Sequence, residues 1–241
     1  MRRLLGAAAL ILLMGAGSAN AASVTVIASS SQGAPNTGVN TANVYGAAYQ
    51  GNVPTGASFS VDPLVGAGQG SNSGNFKSPF ANTVKEGVNS YFSVGGGFGA
   101  PQGTPTSPVS LSTTAGSFAR AATLLWGSID SYNKLEFFNG ATLVGSFDGT
   151  FINGLLAALP QYNGTNFEKV ALLQFRGFGP GGFNKAVFTS TQQAFEFGLA
   201  NGSLTPLLSP VPIPAALPLF GTAIGGLYFL KRRQRRNSTP V

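Results

Sequence analysis

The 241-residue chain contains no cysteine and no histidine. Without cysteine there is no disulfide to staple the fold, no thiol nucleophile and no thiolate to hold a metal. Without histidine the commonest general base is also missing. Acids are scarce: Asp62, Glu86, Asp130, Glu136, Asp148, Glu168 and Glu196 are all there are. No Asp-x-Asp-x-Asp run occurs among them. Two glycine-rich stretches, 95–99 and 177–182, lack the Gly-Lys-Ser/Thr that completes a phosphate loop, and Pro180 interrupts the second. Both are loops, and nucleotide binding falls away. The stability of such a chain has to come from an ordinary hydrophobic core.

What charge there is lies unevenly. The formal net charge is +7, which by itself points toward nucleic acid. Two of the fourteen cations are Arg2 and Arg3, however, and five are Lys231, Arg232, Arg233, Arg235 and Arg236. Between them stand seven cations (Lys77, Lys85, Arg120, Lys134, Lys169, Arg176 and Lys185) against all seven acids, so the middle of the chain is neutral. Nucleic acid is therefore excluded as a partner, and the basic character belongs to the two ends.

At the C-terminal end, residues 215–230 carry no charge and include Leu217, Leu219, Phe220, Ile224, Leu227, Tyr228, Phe229 and Leu230. A helix of sixteen to twenty residues reaches roughly 24–30 Å, near the lower limit for crossing a bilayer. Pro218 falls in its first turn, where a missing N–H costs little. The five cations that follow keep that end cytoplasmic. The sequence thus predicts one C-terminal transmembrane helix within 211–236. It is preceded by Val211-Pro212-Ile213-Pro214-Ala215.

The order of proline-rich motif, apolar span and arginine-rich end resembles the PEP-CTERM class of bacterial C-terminal sorting signals, in the variant named for Val-Pro-Leu-Pro-Ala. Ile213 stands where that motif has leucine, and the Glu of the commoner Pro-Glu-Pro form is absent. The resemblance implies an exosortase as processing partner. It also implies passage through the inner membrane as a single-pass intermediate, and release of the preceding domain to the cell surface or outside the cell.

The front end agrees with export. Arg2 and Arg3 precede an apolar run at 4–14, followed by Ser18-Ala19-Asn20-Ala21. This is the layout of a secretory signal peptide over 1–21, with Ala19 and Ala21 at the small-residue positions a signal peptidase requires and cleavage between Ala21 and Ala22. The apolar run is too short to span.

Residues 22–200 then form one domain, with 201–210 as a linker. Strands are predicted at 23–28, 91–94, 118–125, 167–175, 185–190 and 194–199, with short pieces among the loops of 29–74. The period of 167–175 leaves helix open. A short helix fits 150–159, ended by Pro160. Asn139-Gly140 joins two apolar runs at 134–147 as a type I′ hairpin, placing Phe138 opposite Ala141, Phe137 opposite Thr142 and Leu135 opposite Val144. Leu135, Phe137 and Val144 then share one face, and Glu136, Phe138 and Leu143 the other, so cover on both sides is expected. Short strands, Gly/Asn turns and few helix caps give a mainly β fold, an antiparallel β-sandwich of jelly-roll-like form. Segments 125–133, 183–188 and 194–196 resemble the ectodomains of certain exosortase-dependent surface proteins. That resemblance implies a sandwich related in shape to carbohydrate-binding modules, and no particular ligand.

Three chemistries remain for this domain. Trp126, Tyr132, Phe137, Phe138 and Tyr162 can supply an aromatic platform for sugar rings, Trp126 and Tyr132 foremost, although a lone tryptophan also suits the core. Glu136 and Asp148, brought together by the hairpin, are the one carboxylate pair for glycoside cleavage, which needs two roughly 5–10 Å apart. Asp130, Asn133, Asn139 and Asp148 offer hard oxygens for a structural Ca²⁺, or simply form turns; no other cofactor is implied. The sequence therefore points to a non-enzymatic exported surface or matrix protein with a structural or adhesive role. A carbohydrate-binding module for exopolysaccharide is the alternative, and a hydrolase a third reading.

Overall fold

A computed structural model describes residues 22–31, 45, 47–71, 76–95, 104–159, 169–192 and 194–207. The chain divides into two compact units, Met1–Leu207 and Leu208–Val241. The predicted signal peptide, the motif at 211–215, the apolar span and the cations at 231–236 all lie outside the described residues. Among those that are described, no helix is long and apolar enough to cross a membrane.

The described part of the first unit is mainly β. Its strands are β1 (Ser23–Ser31), β2 (Ala57–Phe59), β3 (Leu64–Val65), β4 (Tyr91–Val94), β5 (Val109–Thr113), β6 (Ala119–Gly127), β7 (Asn133–Asn139) and β8 (Thr142–Asp148). Helix α1 (Gly149–Ala157) follows, and then β9 (Lys169–Arg176), β10 (Lys185–Ser190), β11 (Phe195–Gly198) and β12 (Leu204–Pro206). A seven-stranded sheet runs β1-β9-β6-β11-β4-β3 with β12 also on β6, and a five-stranded sheet runs β2-β5-β10-β7-β8. The pairings are antiparallel and nested: β7 with β8, β6 with β9, β5 with β10, β4 with β11. One long hairpin wound so that successive nested pairs alternate between two sheets gives this order, which is that of a jelly roll.

The sheets meet through aromatic rings. Phe197 of β11 stacks on Phe188 of β10 with centroids 4.2 Å apart, Phe137 of β7 meets Phe175 of β9 at 5.4 Å, and Phe59 of β2 meets Phe92 of β4 at 4.9 Å. In each pair the two rings come from opposite sheets. With no disulfide available, these interdigitated side chains hold the layers together.

The seven-stranded sheet is also covered on part of its other face. Tyr91, Leu125, Val170 and Leu172 point away from the inter-sheet core and pack with Phe80, Tyr45 and Tyr49. The covering chain comes close: a Cβ on Gly127 would sit 2.8 Å from Cα of Pro79, so only glycine permits this approach. β4, β9 and β11 are buried at nearly every position for this reason.

Three expectations need correction. Leu204–Pro206, placed in the linker, pairs with β6 through Leu204 opposite Ala122 and Thr205 opposite Ala121. β11 covers only the later part of the nine-residue β6, and its remaining N–H and C=O groups need partners. The hairpin turn is Gly140-Ala141, with Asn139 opposite Thr142, Phe138 opposite Leu143 and Leu135 opposite Phe147, and an irregularity between Phe137 and Phe138. Gly140 has φ 59° while neither Asn139 nor Ala141 is left-handed, the pattern of a II′ rather than a I′ turn. Phe147 therefore takes the core position expected for Val144. Finally, the outer hairpin face is not covered, since Leu143 is 50% exposed. The short helix forms at Gly149–Ala157, with Asp148 as N-cap.

Candidate functional site

Alternation along β11 turns Phe195 and Phe197 into the inter-sheet core and leaves Glu196 on the opposite face, beneath the residues that cover it. Glu196 is 1% exposed, a rare position for a carboxylate. Its Oε1 accepts from the backbone N–H of Lys77 at 3.3 Å, while Oε2 has no protein partner. The Ser128 hydroxyl is within hydrogen-bonding reach of the carboxyl and donates to the Lys77 carbonyl at 3.1 Å. Ser128 takes a left-handed φ of 43°, an uncommon conformation for a residue with a side chain. The 76–80 segment is thus clamped on both its N–H and its C=O at Lys77.

Just beyond Ser128 the chain turns through Asp130 and Tyr132 into β7. Asp130 is 8% exposed, and the Tyr132 hydroxyl bonds its carboxylate. Asn133 donates to the Ser128 carbonyl at 3.1 Å, and Asn153 of α1 donates to the Ile129 carbonyl at 2.7 Å, which ties the helix to this turn. Burial, and then the negative charge of Asp130, hold the Glu196 carboxyl well above the ordinary 4.5. Burial likewise raises Asp130, against the bond from Tyr132. The Tyr132 phenol is pushed up by burial and by Asp130, and the Tyr91 phenol by burial and by Glu196. Two carboxyls sharing a desolvated neighbourhood do not both ionise readily, so the fold favours the protonated form of Glu196. A neutral Glu196 can act as donor and as acceptor between β11 and its cover.

The residues singled out from the sequence are placed as follows. Trp126 is fully buried and stacks on Phe195 at 4.4 Å, so it presents no face to a sugar. Its neighbours in the sheet left it no other position: β6 at Trp126 is flanked by β9 and β11. Phe137 is buried too, and Phe138 is partly covered by Lys185, whose Nζ lies 4.7 Å over its ring. Tyr132 is half-buried against Asp130, and Tyr162 lies outside the described residues. Among the described residues of this set no aromatic platform is assembled.

The proposed catalytic pair is committed elsewhere. Glu136 forms an ion pair with Lys134 at 3.1 Å, and Asp148 caps α1 by accepting from the Phe151 N–H at 2.7 Å. Of the four oxygen donors considered for Ca²⁺, Asp130 and Asn133 share one turn. Asn139 instead donates to the Gly181 and Gly182 carbonyls, and Asp148 is the helix cap. Among the described residues no group of three or more acids, histidines or cysteines is placed to hold a metal.

Two of the depressions among the described residues bear on function. One, of about 250 Å³, lies at the sandwich edge where β2 and β3 end the two sheets, lined by Val53, Phe59, Leu64 and Phe92. Its one acid, Asp62, accepts from the Leu64 N–H at 3.0 Å. The other, of about 320 Å³, is lined by Arg120, Ala121, Arg176 and Thr205 on the seven-stranded sheet. Sequence reasoning singled out neither Glu196 nor the two arginines. The available signal for Glu196 was its position between two phenylalanines in a short apolar run. The arginines, 56 positions apart, gave none.

The chain matches no family model, no curated protein and no solved structure.

Proposed function

We propose that the protein is an exported, non-catalytic surface or matrix component, whose β-sandwich is delivered by an exosortase acting on its C-terminal end. One observation carries this reading: the Val211-Pro212-Ile213-Pro214-Ala215 motif, the uncharged 215–230 run and the five cations of 231–236 stand in that order at the end of the chain. Two features of the folded part support it. β1 begins at Ser23, and Ala22 packs against the core, so cleavage between Ala21 and Ala22 leaves the whole of β1 in the mature chain. The last described strand ends at Pro206, a few residues before the motif, so cutting near Pro212 or Pro214 releases a complete sandwich. The domain holds its layers with aromatic packing and, having no cysteine, does so without a disulfide.

The test is mass spectrometry of the mature chain's C-terminus in cells that carry an exosortase, for the natural sequence and for Pro212→Ala with Pro214→Ala. The natural chain should end near the motif and lack 231–236, and the variant should keep its tail and stay in the membrane. An identical C-terminus in both would overturn the reading.

A further inference from the structure

The Arg120–Arg176 depression lies on β6, β9 and β12. β6 and β9 lie side by side, and their shared outer face changes character along its length. Leu125 opposite Leu172 belongs to the covered apolar half; Thr123 opposite Gln174 is the next outward pair, joined by a Gln174 Nε2 to Thr123 Oγ1 hydrogen bond of 3.3 Å. Arg176 follows on β9, with Ser23 of β1 on its far side, while Arg120 and Thr205 complete the depression from β6 and β12. Both arginines are exposed. Among the described residues the one ion pair is Lys134–Glu136, on the other sheet, so no described carboxylate pairs with either guanidinium.

Charge is sparse in this domain, with seven cations over 22–200. Two of them share this depression with no described carboxylate paired to either; like charges repel, and an anion between them relieves that repulsion. Arginine forks match planar oxyanions through paired N–H donors. The volume of about 320 Å³ equals roughly ten water molecules at ~30 Å³ each, too large for a bare ion and suited to one sugar residue. Among the described residues the lining bears a hydroxyl and two guanidiniums and no aromatic ring, which favours a hydroxylated body over a flat apolar one.

We propose that this depression binds the carboxylate of an acidic saccharide, one uronate residue of a polysaccharide chain. It rests on the exported reading only for where such a polysaccharide is met. Loss of C-terminal processing would leave the affinity untouched, so the two ideas fail separately.

The test titrates the full-length chain, purified in a neutral detergent, with three probes: an oligogalacturonate, its methyl ester, and inorganic phosphate. Calorimetry should show the oligogalacturonate binding and the neutral ester weakened by about tenfold or more, the worth of a charge-assisted contact. Arg120→Gln and Arg176→Gln should each weaken the uronate by a similar factor, with unchanged thermal midpoints because both side chains are exposed. The cations of 231–236 are the same in every variant, so they cancel in the comparison. Equal binding of acid and ester, or unchanged uronate binding in the double Gln variant, overturns the proposal. Phosphate binding as tightly as the oligogalacturonate overturns its saccharide part.

Discussion

The two sheets of the sandwich are built from similar strands and yet solve different problems. In the five-stranded sheet one face meets the core and the other meets solvent, and burial alternates along β7 and β10 residue by residue. In the seven-stranded sheet the central strands are covered on both faces, and β4 and β11 are buried at every position. Half-covered strands alternate and doubly covered strands run continuously apolar. The difference teaches where a polar group can be trapped: a single Glu on an alternating strand reaches water, whereas Glu196 on β11 cannot.

The largest effects should come from the inter-sheet layer and from the covered outer face of the seven-stranded sheet. Phe197 touches Phe188 at 4.2 Å, Phe92 at 5.4 Å and Phe195 at 5.4 Å. Phe197→Ala should cost about 3–5 kcal/mol, a large fraction of a domain's usual stability. Leu125→Ala, on the outer face of the seven-stranded sheet but fully buried, should cost about 2–5 kcal/mol. Urea unfolding measures both. A loss under about 1 kcal/mol for Leu125→Ala would mean that the cover over this face contributes little, and the contrast between the sheets would be superficial.

A middle-sized effect concerns pH. Because burial and Asp130 raise Glu196 above 4.5, the folded chain keeps a proton that the unfolded chain releases. The stabilisation is full below the unfolded value and is lost as pH rises toward the folded one, with a slope of at most about 1.4 kcal/mol per pH unit for one proton. Asp130, raised by burial, acts in the same direction. Glu86 acts in the opposite direction. Partial burial pushes it up, but bonds from Ser71 and Asn82 outweigh this and hold it low, so its contribution is lost as pH falls below 4.5. Stability should therefore peak in mildly acid solution and decline toward neutrality. Glu196→Gln should flatten the decline and leave the acid limb in place. Urea midpoints across pH 3 to 8 test this, and an unchanged neutral-side slope in the variant would show that Glu196 is not the titrating group.

The same contrast explains what could be seen in the sequence. Alternation marked β10 and the first half of the hairpin, and the terminating Pro160 helped mark α1 to within two residues at either end. β9 stayed ambiguous because a strand buried on both faces has no period of two to display. The turn position was visible in Asn139-Gly140, but its register was not. That register is fixed by groups far along the chain: Asn139 bonds the Gly181 and Gly182 carbonyls, and Asn184 Oδ1 accepts from the Gly140 N–H at 2.9 Å. β12 was hidden for a related reason, since a segment as plain as Leu204–Pro206 becomes a strand only because β6 offers it an edge. The acid cluster and the arginine depression draw their members from different strands, so only the folded register brings them together.

The smallest effect is the sharpest test of the comparison. Leu143 and Leu125 are the same residue type, both in strands and both turned away from the inter-sheet core. Leu143 is 50% exposed on the five-stranded sheet and Leu125 is 0% exposed on the other. Scattered exposed leucines are ordinary on protein surfaces, so Leu143→Ala should change stability by no more than about 0.5 kcal/mol. Pairing across from Phe138 gives it a cross-strand neighbour, which is worth a few tenths of a kcal/mol at most sites. A cost near that of Leu125→Ala would require something to cover the five-stranded sheet as Tyr45, Tyr49 and Phe80 help to cover the other. The two sheets would then differ in what lies on them and no longer in how they are built.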